Sequence, residues 1–183
     1  MTLLTVAGGH RRSVDCMDIR LTEGTEVVIR RIRPDDKERL AHALSQLSDE
    51  SVRSRFLAPK PRFTGTELRY LTEIDFSDHF AFVAVLRRHP EVIVGVARWI
   101  RDARQPQEAE AAIVVADNLH GQGLGRALGL LIGDAARERG IRRFTATMLS
   151  DNEAARRLFA SISARLEVHH EGATDELVAE LAA

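Results

Sequence analysis

A chain of 183 residues, 44% of them hydrophobic, has the length for one domain and the apolar content for a sizeable core. Its 26 basic and 27 acidic residues leave a net charge of −1, so no global field draws it to nucleic acid or to a membrane surface. No apolar run approaches the length of a membrane span, and a single cysteine, Cys16, excludes an internal disulfide framework and suits a reducing cytoplasm.

Residues 1–24 read as a flexible leader with few apolar anchors. Residues 1–7 are too short for the apolar core of a signal peptide, and His10, Arg11 and Arg12 follow at once. The folded domain is therefore expected over residues 25–183. Residues 26–32 alternate and are rich in β-branched side chains, which predicts a strand. Pro34 suits a first helical turn, and Leu40, Ala43, Leu44 and Leu47 mark one face of the helix after it. Ser48 or Asp49 caps a second helix that runs to Phe56, and Pro59 and Pro61 end it. Thr64 and Glu67 have capping-box spacing and open a third. Residues 80–86 and 92–100 are apolar strands joined by a hairpin turn, with Gly95 at a bulge or a close approach. Residues 110–116 form a buried strand, and 124–139 an amphipathic helix that Gly140 ends. A strand over 143–149, a helix from the cap Asp151 to Ile162, and a weaker strand pair, 166–170 and 176–181, complete the chain. This alternation predicts a mixed sheet with helices on both faces.

Between the strand over 110–116 and the helix after it stands His120-Gly121-Gln122-Gly123-Leu124-Gly125-Arg126. Glycines on alternate positions let a backbone turn tightly and approach a ligand closely. The first amides of a helix have no partner inside it and, with the helix dipole, attract phosphate. The spacing is not that of a dinucleotide fingerprint: the required third glycine falls on Arg126 or on Leu128. No lysine stands nearby to complete a nucleoside triphosphate loop.

The order strand, Gln/Arg-x-x-Gly-x-Gly/Ala, long helix, strand, then Asn152-x-x-Ala155-x-x-Leu158 resembles the GNAT superfamily of acyl-CoA N-acyltransferases, over roughly residues 26–171. The residues Val28 through Asp36, Leu47 through Ser51, Arg55-Phe56, Ile74-Asp75-Phe76 and Ala109 through Val115 resemble the catalytic domain of bacterial Pat-type protein lysine acetyltransferases. The resemblance implies an α/β (α+β) GNAT fold, with a mixed, mostly antiparallel central sheet and helices on both faces. It also implies acetyl transfer from acetyl-CoA to a primary amine, a protein lysine side chain in the Pat-type branch, with no metal. A homodimer is compatible with it. An acetyltransferase for small amines or antibiotics, and an inactive acyl-CoA-binding regulatory module, are the alternatives.

The resemblance carries roles onto particular residues. Glu110 is implied as general base, and apolar neighbours make a carboxylate a stronger base. Glu108 shares its strand face and is the rival that periodicity does not separate from it. The backbone of Ile113, Val114 and Val115 is implied to bind the pantetheine arm. Residues His120, Gly121, Gln122, Gly123, Leu124, Gly125 and Arg126 are implied to hold the pyrophosphate. Asn152, Ala155 and Leu158 are implied on the opposite side of the arm. His120 departs from the usual Gln or Arg. Phe159 stands where many relatives carry a tyrosine that protonates the leaving thiolate. His169 and His170 are adjacent on a strand and face opposite ways, so they make no metal pair. Asp75, Asp78 and His79 precede the strand over 80–86 and are candidates for the acceptor entrance. The basic run Arg53, Arg55, Lys60 and Arg62 is a candidate contact for the coenzyme phosphates.

Overall fold

The computed structural model describes residues 16–60 and 62–182. Pro61 and residues 1–15, most of the expected leader, lie outside the described residues. One sheet of eight strands organises the rest, in the order β1-β2-β3-β4-β5-β6-β8-β7. The strands are β1 (Cys16–Arg20), β2 (Glu26–Arg31), β3 (His79–Leu86), β4 (His89–Arg101), β5 (Glu108–Val115), β6 (Arg143–Leu149), β7 (Ser163–Glu171) and β8 (Thr174–Leu181). Every neighbouring pair is antiparallel except β5 and β6.

The first strand corrects the expected leader boundary. Cys16–Arg20 pairs with β2 across Cys16↔Arg30 to Arg20↔Glu26, and Leu21 is buried. The segment has few apolar residues, and β1 gains its place from backbone pairing that an apolar count does not register.

Helices cover both faces. On one lie α1 (Lys37–Ser45), α2 (Asp49–Phe56) and α3 (Gly65–Thr72), over a core that includes Ile32, Leu40, Ala81, Val83, Val85 and Ile93. On the other lie α4 (Leu124–Arg137) and α5 (Glu153–Ile162), over Phe80, Trp99, Leu128, Ile132 and Phe144. Ser48 caps α2 by accepting from the Ser51 N–H at 3.2 Å. Thr64 and Glu67 form the expected capping box: each accepts from the other's backbone N–H, at 3.2 and 2.8 Å. Pro34–Asp36 is a single 3-10 turn ahead of α1. Asn152, not Asp151, caps α5.

Gly95 sits at the expected bulge, where the β3–β4 register steps from Ala84↔Gly95 to Val85↔Ile93. It is also a close approach: a Cβ there would stand 2.9 Å from the Leu128 side chain, so α4 rests directly on the β4 backbone.

Candidate active site

The parallel pairing of β5 and β6 is short. It runs from Glu108↔Arg143 through Ala109↔Phe144 to Glu110↔Thr145 and stops. Beyond that point β5 stays with β4, from Ala111↔Trp99 to Val115↔Gly95, while β6 stays with β8, from Ala146↔Leu177 to Leu149↔Thr174. The sheet forks, and Glu110 stands at the apex.

Backbone direction alternates along β5. The Ala116 N–H donates to Val94 C=O on the β4 side at 2.9 Å. Gln107 C=O, on the opposite edge, accepts from the Arg142 and Arg143 N–H groups. By this alternation the N–H and C=O of Ile113 and Val115 point into the fork and those of Val114 point to β4. Two of the three backbone residues expected to meet a pantetheine arm therefore line the fork. The polar groups of Val114 turn to β4, by strand alternation.

At the wide end of the fork the chain turns through residues 116–123 into α4. Gly121 (φ 74°) and Gly123 (φ 90°) adopt the left-handed backbone, with open space where a Cβ would stand. Among the described residues no side chain caps α4 at Gly123, which leaves the amides of its first turn available. Arg126 is exposed beside them. Gln122 faces inward, its Nε2 donating to Asn118 C=O and to the Glu23 carboxylate, both at 3.1 Å, so it braces the loop. The Leu124 side chain is fully buried, leaving its amide as its contribution to the site. The His120 ring nitrogen Nε2 lies 2.9 Å from Val115 C=O, on the wall of the fork.

Opposite, Asn152 Oδ1 accepts from the Ala155 N–H at 3.0 Å. That bond fixes the start of α5 and leaves the Asn152 amide nitrogen unengaged by it. Leu158 closes on α4, with its side chain 3.5 Å from where a Cβ on Gly125 would be. Asn152 and Leu149 line a cavity of about 620 Å³ between α2 and α5. Phe159 is buried in the core. A slot edged by backbone groups that leads to a helix start with free amides fits a pantetheine arm ending in a pyrophosphate.

The two candidate bases differ sharply. Glu108 forms an ion pair with Arg143 at 2.6 Å and is 14% exposed. Glu110 is exposed and, among the described residues, makes no ion pair. The apolar setting expected for Glu110 is not what the fold gives it, because its side chain stands exposed where β5 and β6 part.

The loop before β3 plays a structural part. Asp75 Oδ1 accepts from the N–H groups of Ser77, Asp78 and His79 at 2.8 to 2.9 Å. These bonds, led by that from His79, hold its carboxyl down to about 2. Asp78 pairs with Arg101 at 2.8 Å. His79 is buried, and burial, with the charge of Arg98, pushes its imidazole down to about 4. Of the basic run, Lys60 pairs with Glu67, Arg53 lines the cavity between α2 and α5, and Arg55 lies beneath α2 near Glu110. Sequence reasoning passed over Arg98; the signal was an arginine inside the apolar run over 92–100.

A forked sheet, a helix start free to bind phosphate and an exposed carboxylate at the apex are the architecture of an acyl-CoA N-acyltransferase. Comparison with known proteins agrees: the family described as acetyltransferase (GNAT) domain matches residues 26–165. The chain belongs to that family, and its class is N-acetyltransferase. It is 31% identical over 146 residues to Acetyltransferase Pat of Mycolicibacterium smegmatis, covering 80% of this chain and 43% of that one. The chain thus spans less than half the length of that relative. It is also 31% identical over 143 residues to Acetyltransferase PA5475 of Pseudomonas aeruginosa, covering 78% of this chain and 76% of that one. The crystal structure of the GNAT domain of S. lividans PAT superposes with a TM-score of 0.82 at 32% identity, covering 94% of this chain and all of that one. The Pat-type likeness read in the sequence is present in both sequence and fold.

Proposed function

We propose that this domain transfers the acetyl group of acetyl-CoA directly to a primary amine, with a protein lysine side chain as acceptor and Glu110 as general base. The observation that carries the reading is the position of Glu110. It stands where β5 and β6 part, exposed and unpaired among the described residues, while its neighbour Glu108 is occupied by Arg143.

When bound, acetyl-CoA supplies a thioester carbonyl open to attack by an amine. The Ile113 and Val115 edges of β5 orient the pantetheine arm, with the Gly121–Arg126 turn on the pyrophosphate. A lysine amine has a pKa of about 10.4, so only about four molecules in ten thousand are neutral near pH 7. Glu110 accepts the proton that makes the amine a nucleophile, directly or through a water. Amide donors on the β5 edge polarise the carbonyl. Phe159 has no proton to give. A thiol with a pKa of about 8.5 leaves without full protonation, so the reaction does not require a tyrosine there. The Pat-type likeness and the open mouth of the fork favour a lysine on a protein over an enclosed small amine. A cytoplasmic setting goes with this reading.

The test is to incubate the protein and Glu110→Gln with acetyl-CoA and a cell lysate and map new acetylation by mass spectrometry. Lysine sites that depend on Glu110 support the proposal. Turnover restricted to small amines sinks the protein-lysine acceptor, and coenzyme binding without turnover on any amine sinks the enzyme reading.

A further inference from the structure

Beneath α2 and α3, the sheet face that carries Glu110 holds a second group of charges. Strand register places them. Glu110 lies opposite Ile100 and Ala112 opposite Arg98, and the same rows continue on β3 with His79 and Ala81. Arg98 is therefore a diagonal neighbour of Glu110 on one face. It is 6% exposed. Its guanidinium donates to Leu71 C=O at 3.4 Å and to His79 Nε2 at 3.1 Å, and neither partner carries negative charge. Among the described residues Arg98 makes no ion pair.

Arg55 brings a second guanidinium to the same cavity from α2. It too makes no ion pair among the described residues, and Glu110 is the carboxylate whose field reaches it. Burial, then repulsion by Arg55, pulls Arg98 down to about 10. Buried charges are ordinarily paired. Here the two cations share a cavity of about 80 Å³ whose other walls include Leu44, Phe56, Leu71 and Val114, and the carboxylate of Glu110 lies one strand diagonal away from Arg98. Since a water needs roughly 10–15 Å³, that space admits a carboxylate group.

We infer that Arg98 and Arg55 form an anion subsite for the acceptor, which binds a carboxylate carried close to the amine that is acetylated. The inference rests on the proposed role of Glu110, which sets where the amine sits. A guanidinium is a planar fork that matches a carboxylate. The spacing of one strand diagonal, roughly 7–8 Å, sets the separation of amine and carboxylate in space. The same two cations repel an acceptor whose target is flanked by basic residues. The carboxylate has two possible sources, an acidic side chain beside the lysine of a peptide or the α-carboxylate of a free amino acid.

The experiment measures initial rates of the full chain at saturating acetyl-CoA on two acceptor series. One is a set of capped pentapeptides with a central lysine flanked by Glu, Gln or Arg. The other is free L-lysine against L-lysinamide. The expected result is a kcat/KM about tenfold or more higher for the Glu-flanked peptide than for the Gln-flanked one, carried by KM, with the Arg-flanked peptide poorest. Arg98→Gln and Arg55→Gln should each bring that ratio to within about twofold, and Arg98→Lys should retain part of it. A preference confined to lysine over lysinamide supports the subsite with the free amino acid as its source. Equal rates within both series overturn the subsite and leave the acetyltransferase reading standing. So does a preference that survives both glutamine variants. If Arg98→Gln fails to fold, the half-buried Arg55→Gln carries the test. Absence of turnover on every acceptor, lysate included, refutes the acetyltransferase reading and the subsite with it.

Discussion

Arg143, the residue of β6 in register with Glu108, holds the Glu108 carboxylate at 2.6 Å, two residues before Glu110 on the same face of β5. One of two equivalent-looking carboxylates is thus neutralised by the partner strand, and the other stands at the opening. Glu110→Gln keeps shape and loses the proton acceptor. Turnover near pH 7 should fall on the order of a hundredfold, with acetyl-CoA affinity nearly unchanged because backbone amides hold the coenzyme. The deficit should shrink at high pH, where more amine is already neutral. Glu108→Gln should change turnover little. Steady-state kinetics and calorimetric titration of both variants check this, and full activity in Glu110→Gln would remove it from the mechanism.

Gly123 combines a left-handed backbone with the start of α4. Acetyl-CoA should raise the melting temperature of the protein, whereas NAD and ATP should raise it much less, because a ligand selective for the folded state stabilises it. Gly123→Val should abolish that shift, since a β-branched residue at positive φ is strained and stands where the phosphate approaches. Thermal melts with each ligand decide it; an equal shift with NAD contradicts the coenzyme assignment.

Asp117 ties the turn before the glycines to the start of α2. Its carboxylate accepts from the Ser48 N–H at 2.7 Å, from Ser48 Oγ at 3.2 Å and from Ser51 Oγ. Asp117→Ala should cost about 1–2 kcal/mol of stability. It should also raise KM for the acceptor several-fold, because α2 carries Arg55. A urea midpoint and acceptor kinetics measure both, and an unchanged acceptor KM would show that α2 keeps its place without Asp117.

His79 gives a pH dependence of definite sign. Burial, then the charge of Arg98, lowers its folded-state value from 6.5 to about 4, with Asp75 opposing. Between those limits the unfolded chain binds the extra proton, so stability falls as pH drops from about 6.5 towards 4, by at most ~3 kcal/mol. His79→Gln should flatten that part of the stability curve. Chemical unfolding at several pH values reads it, and identical slopes in both proteins would contradict a buried neutral imidazole.

The N-terminal edge of the sheet is part of the fold. A truncation that starts at Thr25 removes β1, the buried Leu21 and the Glu23 contact to Gln122. Compared with a truncation that starts at Cys16, it should melt several degrees lower and show a smaller acetyl-CoA shift. Equal melts would show that the sheet tolerates β2 as its edge.

Much of the fold was legible because its signals are local. The Thr64–Glu67 capping box, the Gly95 bulge, the glycine turn into α4 and the strand at residues 143–149 all depend on neighbours within a few positions. Strand β1 was not legible, because its partner β2 satisfies its backbone and its side chains carry little apolar signal.

The candidate site divides along the same line. Sequence by itself determined the helix start that can bind phosphate, because free amides and left-handed glycines are properties of a short segment. The Pat-type resemblance brought Glu110 forward, and alternation, which puts Glu108 on the same face, left Glu108 as its rival. Tertiary structure gave them different surroundings, an ion pair for Glu108 and an exposed position for Glu110. The fork that leaves Glu110 open arises because β6 follows β8 rather than β5 beyond Thr145, and the Glu108–Arg143 pair forms across that parallel junction. Tertiary structure also brought Arg55 and Arg98 together, 43 positions apart on α2 and β4, in one cavity. Charges that meet through long-range packing leave no periodic trace in the chain, because their interaction depends on distance in space and on burial, which only the folded sheet and its covering helices supply.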